Sequence, residues 1–468
     1  MDATNRYNLK IKNVETQRIA SSQVKQTMTT TEQLYQLYKE HPVISTDTRK
    51  ITPGSLFFAL KGEKFDANTL AEKAIEAGAA YAIIDNSEYK KGDQYILVGD
   101  VLSALQDLAR YHRRQLTIPV IGLTGTNGKT TTKELINSVL SQHFNTYATQ
   151  GNLNNHIGVP LTILSINASH EAAVIEMGAN HQKEIELLCT ISQPSHGLIT
   201  NVGKAHLEGF GGVEGVKKGK GELYDYLKTT EGITFVNSDS ADLMAMQYAR
   251  SLKNVTFYGS IDIDNLVSGQ LTENSPYLTL QWTNNSTGQS YDVKSQLTGA
   301  YNLDNILAAI CIGVYFKLSP EQIDAGISGY QPKNNRSQIT QTATNTLICD
   351  YYNANPSSMA VAIENLGKIE AKHKVLVLGD MFEMGQESAA EHAAIIKKAM
   401  ETPVAERIFI GTEFAAQKSE VGGRKSEAIF YTTAEEAIAV LKANPIRNAT
   451  VLIKGSRGMA LERLVELF

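Results

Sequence analysis

The stretch Val120-Ile-Gly-Leu-Thr-Gly-Thr-Asn-Gly-Lys-Thr-Thr-Thr132 limits what this chain can fold into more than any other. An apolar run of strand character enters a turn rich in glycine and threonine, and an amphipathic helical pattern begins directly behind it. That order belongs to a layered α/β fold around a mostly parallel sheet. Glycines in such a turn let backbone N–H groups converge on phosphate oxygens, and the helix N-terminus adds partial positive charge. The Lys129 amine can reach terminal phosphates and the Thr130 hydroxyl can sit on Mg²⁺. Gly125, Thr126, Asn127, Gly128, Lys129, Thr130 and Thr131 are therefore expected to hold ATP or GTP. A Gly/Thr turn without a ligand is the alternative, and the flanking strand and helix argue against it.

A chain of 468 residues is too long for one core. At roughly 150 residues per domain it divides into about three. A small α/β domain is expected over 28–116, where apolar strands (Leu56 to Leu60, Tyr81 to Ile84) flank an alanine-rich helix from Thr69 to Ala77. A central ATP-binding domain with a mostly parallel sheet follows over 117–331, its ligands gathering at strand C-termini. Within it, residues 262 to 298 have β character broken by Asn/Ser/Gly turns and are expected to form an antiparallel insertion. Beyond Pro332 and Lys333-Asn334-Asn335, strands at Thr346 to Cys349, Lys374 to Leu378, Arg407 to Ile410 and Val451 to Ile453 alternate with helices. This predicts a Rossmann-like domain over 332–468.

Net charge is -5, so no overall positive field exists to attract nucleic acid or an anionic membrane. Cys189, Cys311 and Cys349 form no Cys-x-x-Cys pair and read as small buried residues. The first 27 or so residues are polar without a signal-like apolar stretch, and no run approaches the ~18 apolar residues of a membrane span. A cytoplasmic enzyme is the simplest expectation.

Four further segments carry candidate chemistry. Ala172-Ala-Val-Ile-Glu176-Met-Gly178 is an apolar strand ending in a carboxylate, which makes Glu176 either a magnesium ligand or a surface acid capping the strand. His206, in the glycine-rich loop after Leu198-Ile-Thr-Asn, is either a metal ligand or a hydrogen-bonded loop residue. Lys217, Lys218 and Lys220 on a helix read by default as a solvated basic face. Asp350 either faces the nucleotide or caps the helix that starts near Pro356.

Taken together, these segments resemble the Mur ligase family, the ATP-dependent amide-forming enzymes of peptidoglycan synthesis. The resemblance runs in order through Asp47-Thr-Arg49, the phosphate loop, Gly151-Asn-Leu-Asn-Asn155, Glu176-Met-Gly-Ala179, Ala205-His-Leu-Glu208, Lys220-Gly-Glu222, Asp350-Tyr-Tyr-Asn-Ala-Asn-Pro356, Leu378-Gly-Asp-Met381 and Lys454-Gly-Ser-Arg457. Within the family the pattern is similar to the branch that joins D-alanyl-D-alanine to UDP-N-acetylmuramoyl-tripeptide. The resemblance implies catalytic roles for Lys129, Lys220, His206 and Glu176. It implies two Mg²⁺, one on Thr130 and Glu176, the other on His206 and a carbamylated Lys220. Asn302 and Asn305 would lie on the adenine side, with Tyr301 stacking where the family usually has histidine. Arg336 and Asp350 would reach the nucleotide from the hinge and the last domain. The expected partners are the UDP-tripeptide and D-alanyl-D-alanine, with no nucleic acid, no membrane insertion and a monomeric state. A folylpolyglutamate-type or other Mur ligase with a different amine acceptor, and a phosphate-loop regulatory or motor protein, are the competing readings. Whether the third peptide residue is lysine or diaminopimelate is not written in any readable motif.

Overall fold

The computed structural model describes residues 28–260, 264–274, 277–333, 335–421 and 427–468. The polar N-terminal 27 residues, part of the 262 to 298 segment and Asn334 lie outside these. The architecture is α/β with mostly parallel sheets, in two compact units divided between Tyr111 and His112.

The first unit holds helix α1 (Thr31–Glu40), started by a capping box in which Thr30 accepts from Gln33 N–H and the Gln33 side chain returns to Thr30. Strands β1 (Ile44–Ser45), β2 (Leu56–Phe58), β5 (Tyr81–Ile84) and β6 (Tyr95–Leu97) form a parallel sheet in the order β1-β2-β5-β6. A short antiparallel ribbon pairs β3 (Lys61–Gly62) with β4 (Phe65–Asp66). The expected alanine-rich helix is shorter than its pattern suggested, because residues Ala67–Leu70 take a 3-10 turn capped by Asp66 before α2 (Ala71–Glu76) begins. Helix α3 (Val101–Arg113) carries the border between the units in its last turn.

The second unit contains two sheets. The nine-stranded one is built from β7 (Val120–Thr124), β8 (Thr146–Ala148), β9 (Ala172–Glu176), β10 (His196–Ile199), β11 (Ile233–Asn237), β12 (Val255–Gly259), β13 (Val267–Asn274), β14 (Leu278–Asn284) and β15 (Gln289–Lys294). Their order is β15-β14-β13-β12-β11-β10-β7-β9-β8. β7 and β9 are buried along their whole length, as parallel strands covered on both faces must be, which explains their continuous apolar sequence. The expected antiparallel insertion instead extends the same sheet. β13 joins β12 in parallel and then pairs antiparallel with β14, whose alternating burial places Leu278, Leu280 and Trp282 in the core. Helices α4 (Lys129–Leu140), α5 (Glu184–Ser192), α6 (Val213–Thr229), α7 (Leu303–Tyr315) and α8 (Pro320–Gly329) include the layers that cover it. α7 is almost wholly buried from Asn305 to Val314 and packs with α4 in one apolar cluster. Each such Leu or Ile contributes about 1.5–3 kcal/mol.

The six-stranded sheet runs β16 (Gln338–Gln341), β17 (Thr346–Asp350), β21 (Thr450–Lys454), β18 (Lys374–Gly379), β19 (Glu406–Ile410) and β20 (Ile429–Tyr431), parallel except for β16. The four strands read from sequence are its centre. The edge strand β16 was not readable because three of the four residues in Gln338-Ile-Thr-Gln341 are polar.

Candidate active site

The phosphate loop leaves β7 and enters α4 through two glycines that no other residue could replace. Gly125 has φ +152°, and a Cβ there would stand 2.0 Å from Thr200 Oγ1. Gly128, the N-cap of α4, has φ +77°, and its Cβ would meet Asn305 Oδ1 at 2.6 Å. The loop is tied down from β10's continuation: Thr126 N–H donates to Asn201 O (3.0 Å), Asn127 N–H to Asn201 Oδ1 (2.9 Å), and Thr200 Oγ1 donates to Asn127 O (2.6 Å). Asn355, at the N-terminus of helix α9 (Pro356–Lys368), adds a bond from its amide to Asn127 Oδ1 (2.8 Å). Thr131 lies on the first turn of α4 and lines the same cavity.

Lys129 folds back on this loop, its Nζ donating to Gly125 O (2.7 Å) and Thr126 O (3.0 Å). Removal from water pushes its amine below the usual lysine range, Glu176 pulls it back up, and Arg336 pushes it down again. Beside it, Thr130 Oγ1 donates to Glu176 Oε2 (2.9 Å) and Asn154 Nδ2 to Glu176 Oε1 (2.8 Å). Glu176 is only 1% exposed, so the surface strand-cap reading is excluded. Its charge is held by polar donors because a lone buried carboxylate would be costly.

The loop faces a cavity of about 840 Å³, within the range of nucleotide sites. Asn302, Asn305 and Tyr301 line one part of it: Thr132 Oγ1 donates to Asn305 Oδ1 (2.9 Å), Asn305 Nδ2 to Asn302 Oδ1 (2.8 Å) and Asn302 Nδ2 to Thr298 O (2.8 Å). The Tyr301 hydroxyl pairs with Ser337 Oγ at 2.5 Å. Arg336, Asp350, Tyr352 and Lys454 line another part. Arg336 lays its guanidinium 3.8 Å from the centre of the Tyr352 ring. Asp350 does not cap the following helix; Asn355 does, through a capping box with Ser358. Asp350 instead accepts from Lys454 Nζ (2.7 Å) and from Ser337 N–H (3.3 Å).

His206 lines the cavity at a left-handed backbone position, φ +51°. Glu383 Oε2 stands 2.5 Å from its Nδ1, an ion pair when the ring is protonated. Burial lowers the imidazole's pKa, Glu383 opposes this, and Lys129 and Lys220 lower it further. Lys220 does not line the cavity. It is 2% exposed, against the reading of a solvated basic face, while neighbouring Lys217 pairs with Asp242 (2.9 Å). Its Nζ donates to the O of Ala179 (3.2 Å), a lining residue, and lies 5.1 Å from the Phe210 ring centre. With no carboxylate on its amine, burial and the nearby Lys129 push Lys220 well below the usual lysine range. The sequence carried a signal for this: Val216, Gly219, Lys220, Leu223 and Leu227 share one buried stripe of α6 at helical spacing.

The site also uses residues that sequence reasoning did not single out as ligands. Asn154 sits within a quoted asparagine-rich run, and Lys454 is a polar residue ending an apolar strand, the same signal that marked Glu176. Tyr352, Ser337 and Asn355 gave no comparable signal.

The thiol and metal inventory is plain: all three cysteines are free and buried, and among the described residues no three His, Cys, Asp or Glu side chains converge on a metal position. No helix among them is long and apolar enough to cross a membrane.

Fold and cavity together place the chain among the phosphate-loop α/β nucleotide-binding proteins. More specifically, it belongs to the Mur ligase family: residues 42–119 match the family's "Mur ligase family, catalytic domain", 123–313 its "Mur ligase middle domain" and 335–457 its "Mur ligase, glutamate ligase domain". The chain is 36% identical over 426 residues to the UDP-N-acetylmuramoyl-tripeptide–D-alanyl-D-alanine ligase of Escherichia coli K12, and 34% over 435 residues to that of Bacillus subtilis 168. Each alignment covers 90% of this chain and 92% of the relative. Among solved structures, MurF from Acinetobacter baumannii superposes with a TM-score of 0.83 at 30% identity, covering 93% of this chain and 98% of that one.

Proposed function

We propose that the chain is an ATP-dependent, ADP-forming amide ligase that joins D-alanyl-D-alanine to the terminal carboxylate of UDP-N-acetylmuramoyl-tripeptide in peptidoglycan precursor synthesis. The observation that carries this is the cavity itself, where the phosphate loop of the nine-stranded sheet faces Arg336, Asp350, Tyr352 and Lys454 of the six-stranded one. A simple nucleotide switch has no need of the second set. On this reading the central domain spans 117–331 and the ligase domain 332–468, with 28–116 binding the UDP-sugar. The protein works as a monomer in the cytoplasm.

The chemical difficulty is electrostatic: a carboxylate must attack the γ-phosphorus of an anionic triphosphate. The chain answers with positioned charge rather than with a nucleophile. Lys129, once released from Gly125 O and Thr126 O, follows the transferring phosphoryl group, and the loop N–H groups of Asn127 to Thr131 fix the phosphates. Attack gives an acyl phosphate and ADP. The acceptor amine then adds to the acyl carbon and inorganic phosphate leaves. Asn302, Asn305 and Tyr301 seat the base, while Arg336 and Asp350 meet the nucleotide from the second sheet.

Thr130 and Glu176, a hydroxyl and a carboxylate already 2.9 Å apart, fit Mg²⁺, which takes few protein ligands and completes its shell with phosphate oxygens and water. The His206 imidazole, on the cavity wall with the Glu383 carboxylate beside it, is a nitrogen and oxygen donor set that suits a second ion. Metals held by these residues would supply charge neutralisation at the phosphates. Protonated, Lys220 cannot serve as a ligand beside a cation. Burial and Lys129 disfavour the ammonium form, which favours addition of CO₂ to the amine with loss of a proton, giving a carbamate whose oxygens would suit a metal.

ADP release measured with each substrate omitted in turn tests the assignment. Sustained turnover requires ATP, the UDP-tripeptide and D-alanyl-D-alanine together. Robust ATP turnover without the other two supports a switch or motor instead, and use of a single amino acid in preference to the dipeptide supports a different ligase.

A further inference from the structure

Tyr352, Phe382 and Arg457 sit on three loops that follow the C-terminal ends of β17, β18 and β21, which are neighbours in the six-stranded sheet. This is where an open parallel sheet places ligand contacts. The Tyr352 ring carries two guanidiniums: Arg336 at 3.8 Å and Arg457 at 5.1 Å from its centre. Among the described residues neither makes an ion pair or a hydrogen bond. Other cations nearby are answered, Lys454 by Asp350 (2.7 Å) and Lys204 by Glu391 (2.6 Å). Arg336 lines the cavity with the phosphate loop; Arg457 does not, and is exposed.

We propose that Arg457 reads the free carboxylate of the acceptor and so selects a dipeptide of that form. The inference rests on the amide-ligase reading above. Of the reactants' anionic groups, the triphosphate belongs to the loop, the UDP diphosphate belongs to the first domain with the tripeptide's unreacting carboxylates on the same substrate, and the tripeptide's terminal carboxylate is consumed in the reaction. The acceptor brings one amine that reacts and one carboxylate that does not. Two residues of extended chain span at most about 7 Å. A dipeptide whose amine reacts in the cavity therefore carries its carboxylate up to that distance away, and Arg457, 5.1 Å from the centre of the cavity-lining Tyr352 ring, is the cation without an acidic partner beside that wall. A guanidinium supplies the forked donors that a carboxylate takes in pairs.

The arginine's loop is fixed in advance. Ser456 N–H donates to Asp380 O (3.1 Å), and Ser456 Oγ accepts from Phe382 N–H (2.9 Å). Phe382, 46% exposed, lies so close to Gly458 that a Cβ there would stand 2.6 Å from its ring. An apolar surface for a small side chain thus adjoins the cation.

The test compares D-alanyl-D-alanine with D-alanyl-D-alaninamide, whose carboxylate is blocked, at saturating ATP and UDP-tripeptide. For the unaltered enzyme, amidation raises the acceptor KM about 10- to 100-fold with kcat preserved, as expected for a charged pair that binds ground and transition states alike. In Arg457→Ala the KM for D-alanyl-D-alanine rises by the same factor, the two acceptors become equivalent, and the KM for ATP stays within about twofold. Arg457→Lys, with charge but no fork, falls between. An unaltered enzyme indifferent to amidation overturns the proposal, and that result needs no variant to fold. So does a loss in Arg457→Ala that is equal for both acceptors, or one that falls on the KM of ATP or of the UDP-tripeptide. An enzyme that uses neither dipeptide form but accepts a single amino acid refutes the acceptor assignment itself, which separates the two failures.

Discussion

Replacing Lys454 by methionine removes a charge from the seam of the six-stranded sheet and leaves its partner stranded. Asp350 and Lys454 are register partners at the C-terminal ends of adjacent parallel strands, their side chains 2.7 Å apart and 15% and 2% exposed. Lys454 Nζ also donates to Asn353 O (3.3 Å). Methionine fills the volume of the stem, so packing changes little and the cost is electrostatic. Breaking one side of a buried pair costs about 3–5 kcal/mol, and the partial exposure of Asp350 puts this one near the lower end. A chain with several sheets does not unfold in one step, so the assay is native-state hydrogen exchange of the β17 and β21 amides. A loss of about 3 kcal/mol speeds their exchange roughly 100- to 200-fold. In the double variant Asp350→Asn/Lys454→Met the stranded charge is gone and an oxygen remains for Ser337 N–H, so exchange returns to within about tenfold of the original. A single variant that changes exchange less than about threefold, or a double that exchanges as fast as the single, refutes this account of the pair.

Other consequences are as direct. Lys129→Ala abolishes ADP formation, losing at least about 10³ in kcat, because one preorganised charge at the transferring group is worth that much; appreciable remaining activity in a coupled assay removes Lys129 from the role. Burial holds the His196 imidazole down from 6.5 to about 4. The unfolded chain therefore binds a proton that the folded chain refuses between those values, and stability falls as pH drops through that window by up to about 3 kcal/mol; unfolding midpoints of His196→Gln that keep the same acid slope contradict this. Protein equilibrated with ¹³C-bicarbonate shows a carbamate carbon resonance that Lys220→Arg lacks, and its absence from the unaltered protein rejects the modified lysine.

What the sequence made legible follows from local rules. Gly125 to Thr131 announce themselves because the backbone geometry of a phosphate cradle demands glycines at fixed offsets. Glu176 stood out because a charged residue ending an apolar strand has few places to go. The buried state of Lys220 was readable only by laying out α6 at 100° per residue, since its neighbours Lys217 and Lys218 are the solvated lysines that composition suggests. The meeting of Tyr352 with Arg336 and Arg457 was not legible. Arg457 comes to it from more than 100 positions away, and no local pattern specifies which strand ends adjoin. For the same reason Asp350 read equally well as a helix cap, although Asn355 stood closer to Pro356 and takes that role. The β13–β15 segment read correctly as antiparallel, but its attachment to the sheet edge through β12 is a tertiary choice.

The central claim is that the tripeptide's carboxylate takes the γ-phosphoryl group at the Lys129 loop before the amine arrives. UDP-N-acetylmuramoyl-tripeptide labelled with ¹⁸O in both oxygens of that carboxylate tests it in one turnover. The account predicts ADP together with inorganic phosphate carrying one ¹⁸O. Unlabelled phosphate, or label released in AMP, contradicts it.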